Sequence, residues 1–309
     1  MLRSNDTIST GRGAPAKRRE PIFDLPAVVT CLLVVLLAIY GVESVISEAS
    51  LSSLLERFGF VPGHLTLAIC PQAFWRLQLH AADSALASEE AHAARAFLQA
   101  RGLVGSASLG SGACALSLSA FARLSTADLM TLVTYAFLHL SWTHVALNSI
   151  WIVAFGPPLA RRVGAVRFLI FFFGAAIAGA LVHWAFNPLD FAPLAGASAS
   201  DSGLMGAAAR FVFEPGGPLD SPARSLASDQ RANFDVAAPP LKTLLGERRV
   251  LIFLGVWLVG NFVLGAFAQA LGLSDLPVAW LAHLGGFAFG FFALPLFDRR
   301  RRGLSRPQV

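Results

Sequence analysis

Residues 196–213 read GASASDSGLMGAAARFVF, and the fold turns on them. The run from Ser198 to Phe213 is apolar enough for a membrane. Its sixteen residues give only about 24 Å of helix at 1.5 Å per residue, against a hydrocarbon core of roughly 30 Å. With its cytoplasmic end at the interface, its first residue lies below the outer surface. The preceding stretch, Asn187 to Ala197 with Pro188 and Pro193, then has to dip into the membrane. Non-helical backbone survives there only under protein cover or beside a wet cavity. Ser198 therefore opens a helix at the end where backbone N–H groups have no intrahelical acceptor. A serine so placed is a candidate nucleophile with part of an oxyanion site already supplied.

Five further apolar runs surround this one: Pro26–Val45, Trp142–Leu159, Phe168–Phe186, Val250–Leu271 and Val278–Phe297. With Ser198–Phe213 as the fourth in order, they predict an all-α polytopic membrane protein, a bundle of six transmembrane helices. Composition agrees. Of 309 residues 55% are hydrophobic and 14% charged, where soluble domains carry about 25% charged residues, and mean hydropathy is +0.61. A soluble enzyme, a disordered chain and a disulfide scaffold are excluded. The first run is too long for a signal-peptide core and has no small-x-small cleavage site after it, so it reads as an anchor.

The net charge of +5 does not point to nucleic acid, because the basic residues sit in short clusters between apolar runs. Arg3, Arg12, Lys17, Arg18 and Arg19 precede the first run; Arg161, Arg162 and Arg167 lie between the second and third. Six more fall from Arg210 to Arg249, and Arg299–Arg302 with Arg306 follow the last run. If six helices alternate, all of these share one side, which the positive-inside rule makes cytoplasmic. Both termini are then cytoplasmic. An Ala/Leu/Arg-rich style without an evident transit peptide suggests a bacterial inner membrane.

The expected organisation is a basic tail (1–25), a membrane domain (26–297) and a second basic tail (298–309). The membrane domain includes a long external loop (48–141) and a cytoplasmic loop (214–249). The external loop predicts a helix over Gln72–Ala100. The stretch Glu214–Lys242, rich in Pro, Gly, Ser, Asp and Ala, reads as a linker. Cys31 lies in the first run. Cys70 and Cys114 both lie in the external loop, as one disulfide or as two thiols.

Unpaired polar side chains are costly in hydrocarbon, so those inside the runs are functional candidates. His144 and Asn148 are four residues apart on one helix face, with His139 five residues before. The last run carries Ala282-His283-Leu284-Gly285-Gly286 and then Gly290. A serine needs a base, and His283 is the histidine available on the later runs. Gly286 and Gly290 make a small-xxx-small face that lets helices approach closely. His144 and Asn148 offer donors for a developing oxyanion, or bond to each other or to a neighbouring helix. Ser202 shares a face with Ser198 and is its rival as nucleophile, whereas Ser200 points away. His183, near the outer end of its run, reads as interfacial.

Phe137-Leu138-His139, His144, Asn148, Gly196-Ala197-Ser198, Gly203-Leu204-Met205-Gly206 and Ala282-His283-Leu284-Gly285-Gly286 with Gly290 together resemble the rhomboid family of intramembrane serine proteases. The resemblance covers roughly Leu129 to Phe297. It implies a nucleophile at Ser198 and a general base at His283. It also implies oxyanion stabilisation by His144, Asn148 and the Ser198 amide, and structural roles for His139, Gly196, Gly286 and Gly290. The partners implied are transmembrane protein substrates within the lipid bilayer, with no nucleic acid, no metal and no cofactor. A non-cutting relative that binds membrane clients is the alternative, and a small transporter is disfavoured for want of paired broken helices. Three features depart from the family pattern: Ala199 stands where Gly is usual, Met130-Thr131 replaces a Trp-Arg pair, and the external loop is long. Asp201, three residues after Ser198, has three readings: a carboxyl bonded to a neighbouring helix, a modulator of the Ser–His pair, or a mark of drift from catalysis.

Overall fold

A computed structural model describes residues 25–74, 85–103, 122–214, 238–267, 269–270 and 278–298. Its regular elements are helices: α1 (Ala27–Glu43), α2 (Glu48–Phe58), α3 (Pro62–Ile69), α4 (Ala85–Ala100), α5 (Thr126–Thr134), α6 (Trp142–Val163), α7 (Ala165–Phe186), α8 (Ser198–Ala208), α9 (Arg248–Phe267) and α10 (Trp280–Phe297). Among the described residues α7, α9 and α10 are long and apolar enough to cross a membrane, and α1 is apolar but shorter, at 17 residues. With 22 residues α6 has the length, but Arg161, Arg162, Pro157, Pro158 and Asn148 dilute its hydropathy. The chain is an integral membrane protein.

The eleven-residue α8 sits at the centre, with Ala199 through Ala208 all buried. Its small residues permit this. Gly203 lies against Ala175 of α7 and the Gly286 carbonyl of α10, and Gly206 against the Phe287 carbonyl. The apolar core around it is built from Leu36, Ile152, Leu159, Phe168, Phe172, Leu204 and Phe211. By contrast α9 buries Val250 and Asn261 and leaves most of its length exposed, as a helix does when hydrocarbon is its solvent.

Among the described residues two of the arginines are buried. Buried Arg162 pairs with Asp298 just past α10 (2.6 Å) and lies over the Phe211 ring. Arg210, also buried, donates to the Phe291 and Pro239 carbonyls (2.8 and 3.0 Å). A buried guanidinium is tolerated when it finds acceptors, and these two arginines tie the C-terminal ends of α6 and α8 to α10 and the residue after it.

The external loop differs from the helix expected over Gln72–Ala100. Pro71–Ala73 forms a 3-10 turn and the α-helix begins at Ala85; residues 75–84 lie outside the described set. Three short helices went unread. Ser47 caps α2 through the Ser50 N–H, Pro62 opens α3, and Ser125 with Asp128 forms a capping box on α5. The Cys70–Cys114 question lies outside the described residues because Cys114 does, as does most of the linker. Cys31 is a free cysteine.

Arg101, just past α4, grips Asp128 with two donors (2.7 and 3.1 Å) and also reaches Ser125. This ties the entry to α5 at a place where Met130-Thr131 offer no such anchor. Burial alone would push the Asp128 carboxyl up, but Arg101 and Ser125 outweigh it and hold the group below the ordinary carboxylate range. The stabilisation is complete above the unfolded carboxylate value of about 3.9 and is lost as pH falls through the lower folded value. Arg101→Gln is expected to cost about 2 kcal/mol at neutral pH. Thermal unfolding in detergent micelles should show this deficit shrinking in strong acid, and a deficit independent of pH would refute the assignment.

Candidate active site

Three pieces of chain converge at the N-terminal end of α8. The first is the stretch 187–197. Its Leu194 makes an antiparallel bridge to Phe60, with hydrogen bonds of 2.8 and 3.3 Å. α3 holds the same stretch from outside: the Gly63 N–H donates to the Asp190 carbonyl (2.8 Å), and Thr66 Oγ1 donates to the Pro188 carbonyl. The Gly196 N–H donates to the Tyr135 carbonyl (2.9 Å), and Tyr135 in turn donates its hydroxyl to the Ala176 carbonyl of α7 (2.8 Å). Gly196 has φ +113°, a region that side-chain-bearing residues rarely adopt, and a Cβ there would meet His144 Nε2. Glycine is therefore required at 196 on both counts.

The second piece is α8 itself. Ser198 is half-buried, and its hydroxyl lies 2.8 Å from His283 Nε2, across 85 residues of sequence. The neighbouring serines are engaged elsewhere. Ser200 donates to the Phe172 carbonyl on α7 (2.8 Å), and Ser202 donates back to the Ser198 carbonyl (2.8 Å). Such local bonding leaves Ser198 as the one of the three that faces an imidazole. His283 falls in the first turn of α10, because that helix starts at Trp280 rather than Val278.

Close approach makes the contact possible. A Cβ on Gly286 would overlap the Ala199 carbonyl oxygen, and one on Gly290 would overlap the Gly203 carbonyl oxygen, so α8 and α10 touch backbone to backbone. Ala199 fits as well: its methyl points at Gly179 of α7, where a Cβ would collide with it. The extra carbon at 199 is thus absorbed by a glycine on the next helix.

The third piece is the start of α6. Ser141 caps it through the His144 N–H (3.1 Å), and the half-buried His144 ring presents Nε2 to Gly196. Asn148 is buried; with its amide turned so that both ends find partners, the oxygen accepts from the Ala197 N–H (3.2 Å) and the nitrogen donates to Asp201 Oδ2 (3.3 Å), and His139 Nε2 lies 3.0 Å from the same amide. Its amide therefore braces the loop before Ser198. His139 donates its backbone N–H to Glu43 at the end of α1 (3.0 Å) and packs beside His144, 5.1 Å between ring centres. Asp201 is buried, with Oδ2 3.3 Å from the Asn148 amide of α6. His183 is buried rather than interfacial, with Nε2 3.5 Å from Asp190 in the stretch 187–197.

Sequence reading missed two polar residues here. Asn261 on α9 accepts from His283 Nδ1 (2.7 Å) and donates to the Trp280 carbonyl (3.1 Å). Glu43 closes the α1 side. Both are polar residues in or at the end of an apolar run, so the criterion that selected His144 and Asn148 would have selected them too. Among the described residues no group of His, Cys, Asp and Glu is arranged to hold a metal ion.

Comparison with known proteins agrees with this architecture. Residues 126–300 match the family described as Rhomboid domain. Rhomboid protease GlpG of Serratia proteamaculans (strain 568) is 26% identical over 170 residues, 55% of this chain and 48% of the relative. Two proteins of Bacillus subtilis (strain 168) match shorter stretches. YdcA is 39% identical over 75 residues, 24% of this chain and 37% of its own. Rhomboid protease GluP is 34% identical over 76 residues, 25% of this chain and 14% of its own. The chain thus spans less than half the length of each of these relatives. The family match covers more than half of the chain, over α5 to α10 where the Ser198–His283 contact lies, and the chain belongs to the rhomboid family.

Proposed function

We propose that this protein is an intramembrane serine endopeptidase that cuts transmembrane segments of other membrane proteins. The observation that carries the reading is the 2.8 Å contact between Ser198 Oγ, at the start of the short, enclosed α8, and His283 Nε2, in the first turn of α10, both half-buried. A hydroxyl within hydrogen-bond reach of an imidazole is the arrangement nucleophilic acyl transfer requires.

The Ser198 oxygen adds to the scissile carbonyl carbon while its proton passes to His283 Nε2. The oxyanion forms beside the Ser198 N–H, which has no intrahelical acceptor at the start of α8, and beside His144 Nε2 as an N–H donor. Asn148 gives one amide hydrogen to Asp201 and has a second for the oxyanion. Collapse expels the amine, which takes the proton from His283, and leaves an ester on Ser198. Water, deprotonated by His283, then cleaves that ester and regenerates the hydroxyl. The substrate is a transmembrane segment whose helix unwinds near the outer face, since a regular helix withholds its carbonyls from attack. Six membrane helices, cytoplasmic termini and a bacterial inner membrane complete the reading, supported by family membership and by the charge distribution along the sequence.

Covalent capture tests it. The full chain in proteoliposomes is expected to take one fluorophosphonate adduct, located by peptide mass spectrometry on Ser198. A folded chain that takes no adduct, or takes it on Ser202, sinks the reading; in the first case the non-cutting, client-binding alternative stands in its place.

A further inference from the structure

Asn261 is 7% exposed on a helix that otherwise faces outward along most of its length. A polar side chain turned inward from such a helix needs partners, and it has two. Its Nδ2 donates to the Trp280 carbonyl (3.1 Å), which fixes which way the amide faces. Its Oδ1 then lies 2.7 Å from His283 Nδ1. An amide oxygen only accepts, so Nδ1 must carry the hydrogen. In a neutral imidazole the other nitrogen is then bare, and that nitrogen is the one 2.8 Å from the Ser198 hydroxyl. The proton count therefore runs in one direction: Ser198 donates to Nε2, and Nδ1 donates to Asn261.

We infer that Asn261 is a positioning residue that locks His283 in the tautomer able to accept the Ser198 proton and that supports the imidazolium formed when it does. Its chemical consequence rests on the hydrolase reading above. The amide is neutral, so it steers the ring without pairing its charge. Both of its partners belong to the first turn of α10, so ring and helix start are pinned by one side chain. Contact between the helices is reinforced on either side of it: Trp257 stacks on Phe287 (4.0 Å between centres), and Gly265 lies against the Trp280 side chain. The position of α9 is thereby linked to the orientation of the imidazole.

Ring-15N spectra of the full chain, with the His283 signals assigned by difference against His283→Gln, read the tautomer directly. Wild type is expected to show Nδ1 protonated and Nε2 bare. Asn261→Leu is expected to show a mixture of tautomers, and Asn261→Asp, which keeps an acceptor, to restore the wild-type form. In proteoliposome cleavage kcat should fall roughly 10- to 100-fold in Asn261→Leu with KM unchanged, and recover in Asn261→Asp. That is less than the ~10⁴ loss when a wrong tautomer is actively held. A wild-type ring with Nδ1 bare, or a folded Asn261→Leu chain with the wild-type spectrum, overturns the inference. If wild type and Ser198→Ala are equally inert, it is the hydrolase reading that fails, and the spectra still decide the hold of Asn261 on His283.

Discussion

Ser198→Ala and His283→Gln are each expected to lower cleavage in proteoliposomes by about 10⁴- to 10⁶-fold, and the double variant no further. The single losses are large because each variant removes one half of a proton transfer. The alanine chain has no hydroxyl to add to the carbonyl, and the glutamine chain has no base to take the proton. The double variant adds nothing because the second group has no task once the first is gone. Additive losses would mean that the two side chains act separately, and the 2.8 Å contact would then be packing rather than chemistry. Neither substitution should disturb folding, since both positions are half-buried and both replacements are smaller or similar in size.

Gly290→Ala is expected to lower cleavage by about 100-fold without touching any group that carries protons. The new methyl would overlap the Gly203 carbonyl oxygen, which belongs to the rigid backbone of α8 and cannot rotate away. The helices must part instead. Overpacking of this kind costs about 1–3 kcal/mol, sometimes more, and a displacement of about 1 Å at a reacting pair costs roughly 100-fold in rate. Gly286→Ala, against the Ala199 carbonyl, should behave alike. Gly255→Ala on α9 is the control: a Cβ there meets nothing within 4 Å, so cleavage should be unchanged. Full activity in Gly290→Ala would show that α8 and α10 have slack between them.

Much of this arrangement was legible because hydrocarbon punishes polar groups. The apolar runs marked the helices, and the exceptions within them marked Ser198, His283, His144 and Asn148. The shortness of the fourth run placed Ser198 at an enclosed helix start. What stayed hidden needed contacts between distant residues. That Ala199 is matched by Gly179, or that Asp201 meets Asn148, follows from which helices touch, and no local pattern carries that. The helices α2, α3 and α5 are 11, 8 and 9 residues long. Pieces that short are stabilised by caps and docking rather than by their own periodicity, so the apolar spacing that revealed the spans was silent on them. That Arg162 and Arg210 are buried and paired was likewise hidden, since a charge in the sequence does not say whether it is solvated.

The bridge between Phe60 and Leu194 is made by main-chain atoms alone. Its hydrogen bonds do not depend on side-chain identity, but Phe60 and Leu194 are both buried in one apolar cluster, so only apolar replacements of similar size leave the grip intact. Length is another matter: one residue inserted between Gly59 and Gly63 would shift the register against Leu194 and slacken the strap that holds Gly196 in place. Evolution can trade one apolar letter for another in this clasp more easily than it can change their number.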